Sequence, residues 1–333
     1  MRMKRLAVAL CFGVALTAVS CGGNLDAGHN VPHGPLPVDE RNPVILLNDS
    51  ATDNWFGEYA LLFANDAGPS LAGIIVCASD YWPDLNANVA GWTKLVNAAR
   101  ASGFKNVPDL TVSAGTPLTK PVDGQIDSTV PNHSAGAQLI LDLSRELSLP
   151  RRPLVILVGT RLTDLADAYL VDPTIVDRVV VVAALGSLNP PKVLMTGPNG
   201  ELDPWADWIV AQRFKYVQVT VAYDQAVDVS AAELSQLPHN PFGNWIAQKQ
   251  PNVSTNPWAS DQVTVLAVAL SEFATAVQRV APDISAGFGS PPGQGPPLVL
   301  HDSGNAWVVT EVAAPLAASN LWRMLLAPTA PAH

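Results

Sequence analysis

The chain has 333 residues, of which 19 are Lys or Arg and 29 are Asp or Glu, so its formal net charge is −10. Without the three basic residues at positions 2, 4 and 5, which are predicted to leave with an export signal, 16 basic and 29 acidic residues remain and the charge is −13. This excess of acid argues against a nucleic-acid polymer as a partner, because phosphate backbones are bound by basic surfaces.

The N-terminus has the pattern of a bacterial export signal. Basic residues precede an apolar run, 6–19, that is too short to span a bilayer comfortably as a permanent helix. The run ends in Ala18-Val19-Ser20-Cys21, which fits a lipobox, so Cys21 is predicted to carry a lipid and to become the first mature residue. The alternative is an ordinary secretory peptide that is cleaved nearby.

These patterns divide the chain into three parts. Residues 1–20 are predicted to be a lipoprotein-type signal peptide, 21–42 a flexible linker, and 43–333 a single domain. We expect an exported protein that is lipid-anchored to the bacterial cell envelope, on the periplasmic or the outer surface. Besides Cys21, the mature chain keeps only Cys77, whose apolar neighbours indicate a small buried hydrophobic side chain.

Short apolar runs alternate with amphipathic segments along the domain. In chain order, strands are predicted at 44–47, 71–76, 110–112, 154–158, 179–182 and 298–300, and helices at 56–64, 86–102, 136–147 and 162–170. Continuous apolar strands between amphipathic helices are typical of a mainly parallel open sheet with helices on both faces. The predicted fold class is therefore α/β.

Ligands of such sheets bind where strands end and loops lead into helices. Polar residues occupy five of these predicted positions: 48–54, Ser79-Asp80, Gly159-Thr160, the acidic segment 201–207, and His301-Asp302. Asp49, Asp53 and Asn54 place oxygen ligands in one turn, which suits a hard cation such as Ca²⁺, although the same residue types also cap helices. His301 has an imidazole that could take part in catalysis, but a histidine at such a position can also be a buried, hydrogen-bonded residue without a catalytic role.

Taken in order, these segments resemble the inosine-uridine-preferring nucleoside hydrolases. The family's turn D-x-D-x-G-x-D-D is similar to residues 47–54, and its Gly-Asn pair corresponds to Ser79-Asp80. Three later family motifs, G-P-L-T-N-x-A, E-F-N-x-x-x-D-P and H-D, resemble residues 160–166, 201–208 and 301–302. The resemblance extends from about residue 43 to about residue 311.

The resemblance implies a hydrolase that cleaves the N-glycosidic bond of a ribonucleoside, or of a related ribosyl compound, with a Ca²⁺-activated water. It implies Asp49 as the base towards the water and His301 as the acid for the leaving base. The implied Ca²⁺ ligands are Asp49, Asn54, Asp302 and the carbonyl of Gly159. The side chains implied to face the ribose are Asp53, Asp80, Glu201 and Asp203. The resemblance also allows a homo-oligomer.

The turn after the first strand departs from the family, since Leu47 and Asn54 stand where the family has carboxylates. Fewer charges weaken a Ca²⁺ site. The second hypothesis is therefore a catalytically degenerate domain that binds a ribosyl ligand or a protein partner. A metal-dependent esterase would use the same residue types but does not account for the order of the five segments. A Ser-His-Asp hydrolase is disfavoured because the sequence contains no G-x-S-x-G elbow.

Tryptophans and one further histidine also lie near the predicted loop ends. Several Trp residues lie near predicted loop ends, where a ring could stack on a nucleobase, although core packing is the commoner role: Trp55, Trp82, Trp205, Trp208 and Trp245. His133 is predicted to be an exposed loop residue rather than a catalyst.

Overall fold

The computed structural model describes most of the predicted domain. The predicted signal, linker residues 21–30 and the predicted helix at 56–64, apart from Leu61, lie outside the described residues. Within the described part of the chain, no helix is both long and apolar enough to cross a membrane. The described residues are 31–51, 61, 68–189, 192–194, 199, 202–219, 235–249, 261–289, 295–313, 315–316, 319–320 and 323.

The described strands form one sheet of eleven. They are β1 (Pro43–Asn48), β2 (Ser70–Val76), β3 (Leu110–Val112), β4 (Leu154–Gly159), β5 (Val179–Ala183), β6 (Ser187–Asn189), β7 (Lys192–Leu194), β8 (Lys215–Val219), β9 (Ala274–Pro282), β10 (Leu298–Leu300) and β11 (Ala306–Val312). Their order across the sheet is β3-β2-β1-β4-β5-β8-β11-β9-β10-β7-β6.

The first seven strands of that order pair in parallel. The central ones are runs of Val, Ile and Leu, which suit a strand covered on both faces. The last four strands add an antiparallel extension beside β11. The prediction of a mainly parallel sheet is therefore confirmed, while the antiparallel part was not predicted.

Several of the described helices begin where a polar side chain caps their first N–H groups. Asp84 accepts a hydrogen bond from the Ala87 amide at 3.0 Å, and Ser134 accepts one from the Ala137 amide at 3.1 Å. The described α-helices are α1 (Leu85–Ala101), α2 (Ala135–Leu147), α3 (Thr163–Val171), α4 (Pro204–Arg213), α5 (Pro241–Lys249) and α6 (Gln262–Ala269).

Helices cover both faces of the sheet, as predicted. Leu46 of β1 packs on one side with residues of α1, α5 and α6. Its neighbours Ile45 and Leu47 pack on the other side with residues of α2, α3 and α4. Because side chains alternate along a strand, each apolar strand supplies both cores, and only the strand ends are free to carry polar groups.

Candidate active site

Polar side chains gather where β1, β2, β4 and β5 end, which we call the carboxyl edge. Four of them are almost fully buried although they lie at the ends of strands. Buried polar groups need hydrogen-bond partners or a bound ligand, so their contacts indicate what this edge can do. The four are Asn48, Asp49, Ser79 and Thr160.

Asp49 follows β1 directly and is 2 % exposed. Its Oδ1 accepts the N–H of Ser50 at 2.7 Å, and its Oδ2 accepts the hydroxyl of Thr160 at 3.2 Å. The Ser79 hydroxyl also donates to this carboxylate. Burial raises the pKa of Asp49 above the usual carboxyl value, and the hydrogen bonds offset only part of that rise. Asp49 is therefore a stronger base than an exposed carboxylate.

A second buried carboxylate, Asp261, reaches this edge from the start of α6. Its Oδ2 lies 3.2 Å from Nδ2 of Asn48, and the same nitrogen donates to the carbonyl of Gly159 at 2.9 Å. Its Oδ1 accepts from Nδ2 of Asn199 at 3.1 Å, and this amide also donates to the Ala184 carbonyl at 3.0 Å. Two amides thus hold Asp261 against the ends of β1 and β5.

Both carboxylates approach the dipeptide Gly159-Thr160 at the end of β4. Asp49 bonds the Thr160 hydroxyl, while Asp261 lies so close to Gly159 that a Cβ there would be 2.7 Å from its Oδ2. A real Cβ does not approach an atom so closely. Only glycine therefore allows the observed placement of Asp261.

The oxygens around this dipeptide are a suitable donor set for a hard cation. The Oδ1 atom of Asn48 is buried and has no hydrogen-bond partner within the described chain. The Gly159 carbonyl and the carboxylates of Asp49 and Asp261 also lie around the dipeptide, and Nδ2 of Asn48 donates to the carbonyl and to Asp261. Amide, carbonyl and carboxylate oxygens are the ligands that Ca²⁺ takes in proteins. The donor types present therefore fit a Ca²⁺-type ion, and the second carboxylate near Gly159-Thr160 is Asp261 rather than Asp302.

Asp80 and Arg161 face each other across the ends of β2 and β4. The Asp80 side chain is 83 % exposed, and its Oδ1 lies 3.5 Å from Nη2 of Arg161, which is 4 % exposed. Asn88 positions the loop that carries Asp80, because its Nδ2 donates to the carbonyls of Cys77 and Trp82 at 3.0 and 2.9 Å. The structure thus places Asp80 at the carboxyl edge, while its contact with a ribose stays a prediction.

Asp203 has a structural role that the sequence analysis did not predict. It caps α4 by accepting the Ala206 amide at 3.0 Å, and its Oδ2 accepts the Leu118 amide and the Thr163 hydroxyl at 2.9 and 2.6 Å. Only 1 % of the residue is exposed. The predicted contact of Asp203 with a ribose is therefore not supported by this packing.

His301 and Asp302 do not join Asp49, which corrects the pairing expected from the sequence. Both are exposed and lie in the turn that leads into the amino end of β11. Along the sheet order, β11 is four strand spacings from β1, each about 4.8 Å wide. The register also puts Ala306, at the start of β11, level with Ile45 rather than with Asp49. Asp302 therefore cannot bind one ion together with Asp49.

The remaining predicted site residues divide between described and undescribed positions. Gly159 lies at the end of β4, where its carbonyl accepts from Asn48, and its predicted role as a Ca²⁺ ligand stays a prediction. Asp53, Asn54, Glu201 and Trp55 lie outside the described residues. Cys77 is buried and His133 is exposed, both as predicted. Of the other tryptophans considered for stacking, Trp205, Trp208 and Trp245 are core residues, and Trp82 is 38 % exposed.

Sequence reasoning missed Asp261, Asn199 and Arg161. Asp261 immediately precedes the apolar helix α6, and a carboxylate next to an apolar run was a usable signal. Asn199 lies in a short Pro-Asn-Gly segment that looks like any turn. Arg161 stands at the proline position of the segment that resembles the family motif G-P-L-T-N-x-A.

Solved structures with this fold include known nucleoside hydrolases. The inosine-guanosine nucleoside hydrolase IG-NH has a TM-score of 0.62 at 16 % identity, covering 85 % of this chain and 99 % of its own. The plant nucleoside hydrolase PpNRh1 has a TM-score of 0.61 at 14 % identity, covering 86 % and 99 %. The type III effector XopQ, complexed with adenosine diphosphate ribose, has a TM-score of 0.55 at 14 % identity, covering 89 % and 94 %.

At these identities the similarity shows the fold, and the chain has the nucleoside hydrolase fold. The neighbours do not single out the inosine-uridine-preferring branch. No family model matches the sequence, and no curated protein does so either.

Proposed function

We propose that the domain hydrolyses the glycosidic bond of a ribonucleoside or a related ribosyl compound, with Asp49 as the base. The observation that carries the proposal is Asp49 itself, a buried carboxylate that the Ser50 amide and the Thr160 hydroxyl hold at the carboxyl edge of this fold. Cleavage of a ribosyl bond develops positive charge on the sugar, and the carboxylates at this edge would stabilise that charge.

A Ca²⁺ ion is part of the proposal. Asp49, Asp261, Oδ1 of Asn48 and the Gly159 carbonyl would hold it. When bound, such an ion lowers the pKa of a ligand water and orients sugar hydroxyls. Asn199 supports the site by fixing the Asp261 carboxylate through its bond to Oδ1.

The protein's own groups then account for the proton transfer. Asp49 takes a proton from water, the water oxygen bonds to the anomeric carbon, and the glycosidic electron pair departs with the leaving group. Ser79 and Thr160 orient the carboxylate for this step. His301 lies too far away to protonate the leaving group. In the family's H-D motif a histidine directly precedes the aspartate, whereas the residue before Asp261 is Ser260. We therefore assign that proton to solvent, which favours leaving groups that are stable as anions.

The test uses purified mature protein with millimolar Ca²⁺, 4-nitrophenyl β-D-ribofuranoside and a nucleoside panel. Asp49→Asn removes the base and is expected to lower the rate by about a hundredfold or more. The matched control is Asp302→Asn, an exposed carboxylate at the amino end of β11, which is expected to keep full activity. Release of 4-nitrophenol by Asp49→Asn at the wild-type rate would refute the proposal.

A non-catalytic domain that binds a ribosyl ligand is the second candidate. It is favoured by the amide of Asn48, whose Nδ2 already bridges the Gly159 carbonyl and Asp261. That nitrogen satisfies two oxygens which a cation would otherwise bind. If the wild type turns over none of the substrates, this candidate replaces the first.

We further propose that the protein is exported and lipid-anchored to the bacterial cell envelope through Cys21. The proposal is supported by the basic, apolar and lipobox segments of the first 21 residues. Metabolic labelling with palmitate tests it. Label is expected in the wild type and should be lost in Cys21→Ser, while labelling that survives this substitution would exclude Cys21.

A further inference from the structure

Arg161 is a buried cation with few contacts to the residues that the structure describes. Its side chain is 4 % exposed, and its Nε makes no hydrogen bond within the described chain. The ion pair of Nη2 with Asp80 is 3.5 Å long, and 83 % of the Asp80 side chain is exposed. A guanidinium has five N–H donors, so this contact uses little of its capacity.

The buried carboxylates nearby do not bond to this guanidinium. Asp164 accepts the hydroxyls of Ser113 and Ser134 at 2.7 and 2.6 Å. Asp203 is held by Thr163 and two backbone amides. The charge of Arg161 favours the ionised form of both carboxylates, although burial has the larger effect and raises their pKa values. Arg161 is therefore near these groups without being bound by them.

Burying a charge without hydrogen bonds is costly, so a guanidinium in this state requires a partner. We propose that Arg161 binds an oxyanion of the ligand, so that the domain takes ribosyl compounds bearing a phosphate or carboxylate group. The proposal rests on the proposed function only in taking the rest of the ligand to be a ribosyl group. Arginine suits this task because its planar donors match the oxygens of phosphate and carboxylate.

The position of Arg161 supports the proposal. It is two residues after Gly159 and pairs with Asp80 at the carboxyl edge, and both Arg161 and Asp49 interact electrostatically with the Cys77 thiol. Helix α3 begins two residues later, and Leu162 provides no side-chain cap for it. The N–H groups of that first turn, which have no partner inside the helix, add to the local positive potential.

Asp80 is the group that an incoming oxyanion would displace. Its carboxylate is exposed and lies beyond ideal hydrogen-bond distance from Arg161, so moving it away costs little. A purely structural Arg161, present only to neutralise Asp164 and Asp203, would give no preference for anionic ligands. Ligand charge therefore distinguishes the two roles.

The experiment measures binding of ribose 5-phosphate and of ribose to the purified mature protein by calorimetry. The phosphate ester is expected to bind about tenfold or more tightly than ribose. Inorganic phosphate should compete with the ester, since one guanidinium holds both. Arg161→Gln should abolish the preference, and Asp80→Asn should increase it by removing a competing carboxylate. Arg145→Gln, which alters an exposed arginine paired with Asp172, is the matched control and should change nothing.

Equal affinity of the wild type for the two sugars would overturn the proposal, as would a preference that survives in folded Arg161→Gln. If that variant does not fold, Asp80→Asn decides, because an unchanged preference there also contradicts the proposal. Binding is measured without turnover, so failure of the hydrolase proposal appears separately, as an absence of 4-nitrophenol release.

Discussion

Position 159 shows how one residue controls the geometry of the site. The end of β4 is approached by the Asn48 amide and by the Asp261 carboxylate, both within 3 Å of where a Cβ would be. Any larger side chain must push one of them away. The glycine is thus needed for space and not for an unusual backbone angle.

Gly159→Ala is expected to destabilise the protein by about 1–3 kcal/mol, because the added methyl group overlaps Asp261. Urea unfolding followed by circular dichroism measures this change. The control is Gly91→Ala in α1, where the nearest atom to a new Cβ, in Ala51, is 3.6 Å away. That variant should be neutral or slightly stabilised, because alanine favours helix over glycine. Equal stability of Gly159→Ala and the wild type would show that Asp261 can move aside freely.

At the scale of elements, local patterns predicted the parallel core but not the register of the late strands. The apolar run 298–300 is a strand, as predicted, but Leu300 pairs with Val280, which also pairs with Ala306. The end of β10 is therefore level with the start of β11, and His301-Asp302 fall short of the carboxyl edge. An apolar run identifies a strand, whereas its register depends on partners distant in sequence.

The same limit explains which site residues could be predicted. Asp49 follows β1 and Gly159 ends β4, so the local alternation of strands and helices was enough to predict that both lie at strand ends. Asp261 reaches the edge from the start of a helix more than 200 residues after Asn48, which it contacts. Nothing local to residue 261 shows that its carboxylate meets the end of β1.

For the molecule as a whole, buried carboxylates on the side of α2, α3 and α4 affect stability. Burial raises the pKa of Asp164, Asp203 and Asp207. Between the unfolded pKa near 4 and these raised values, the folded state binds more protons than the unfolded state. Stability from these groups is therefore present at low pH and falls as pH rises. The stability contributed by Asp49 also falls as pH rises, unless a cation binds to its carboxylate.

Calcium is consequently expected to stabilise the whole domain at neutral pH. An ion held by Asp49 and Asp261 would favour their ionised forms, and at a hundredfold excess over Kd it would add about 2.7 kcal/mol. For a domain of this size, that free energy raises Tm by about 5 °C. Differential scanning calorimetry with Ca²⁺ and with chelator measures the shift.

The Asp261→Asn variant should lose most of the Ca²⁺-dependent rise in Tm, and the Asp302→Asn variant should keep it. A shift lost only in Asp302→Asn would place the ion at β11, and a Tm that ignores both Ca²⁺ and chelator would favour the non-catalytic binding domain.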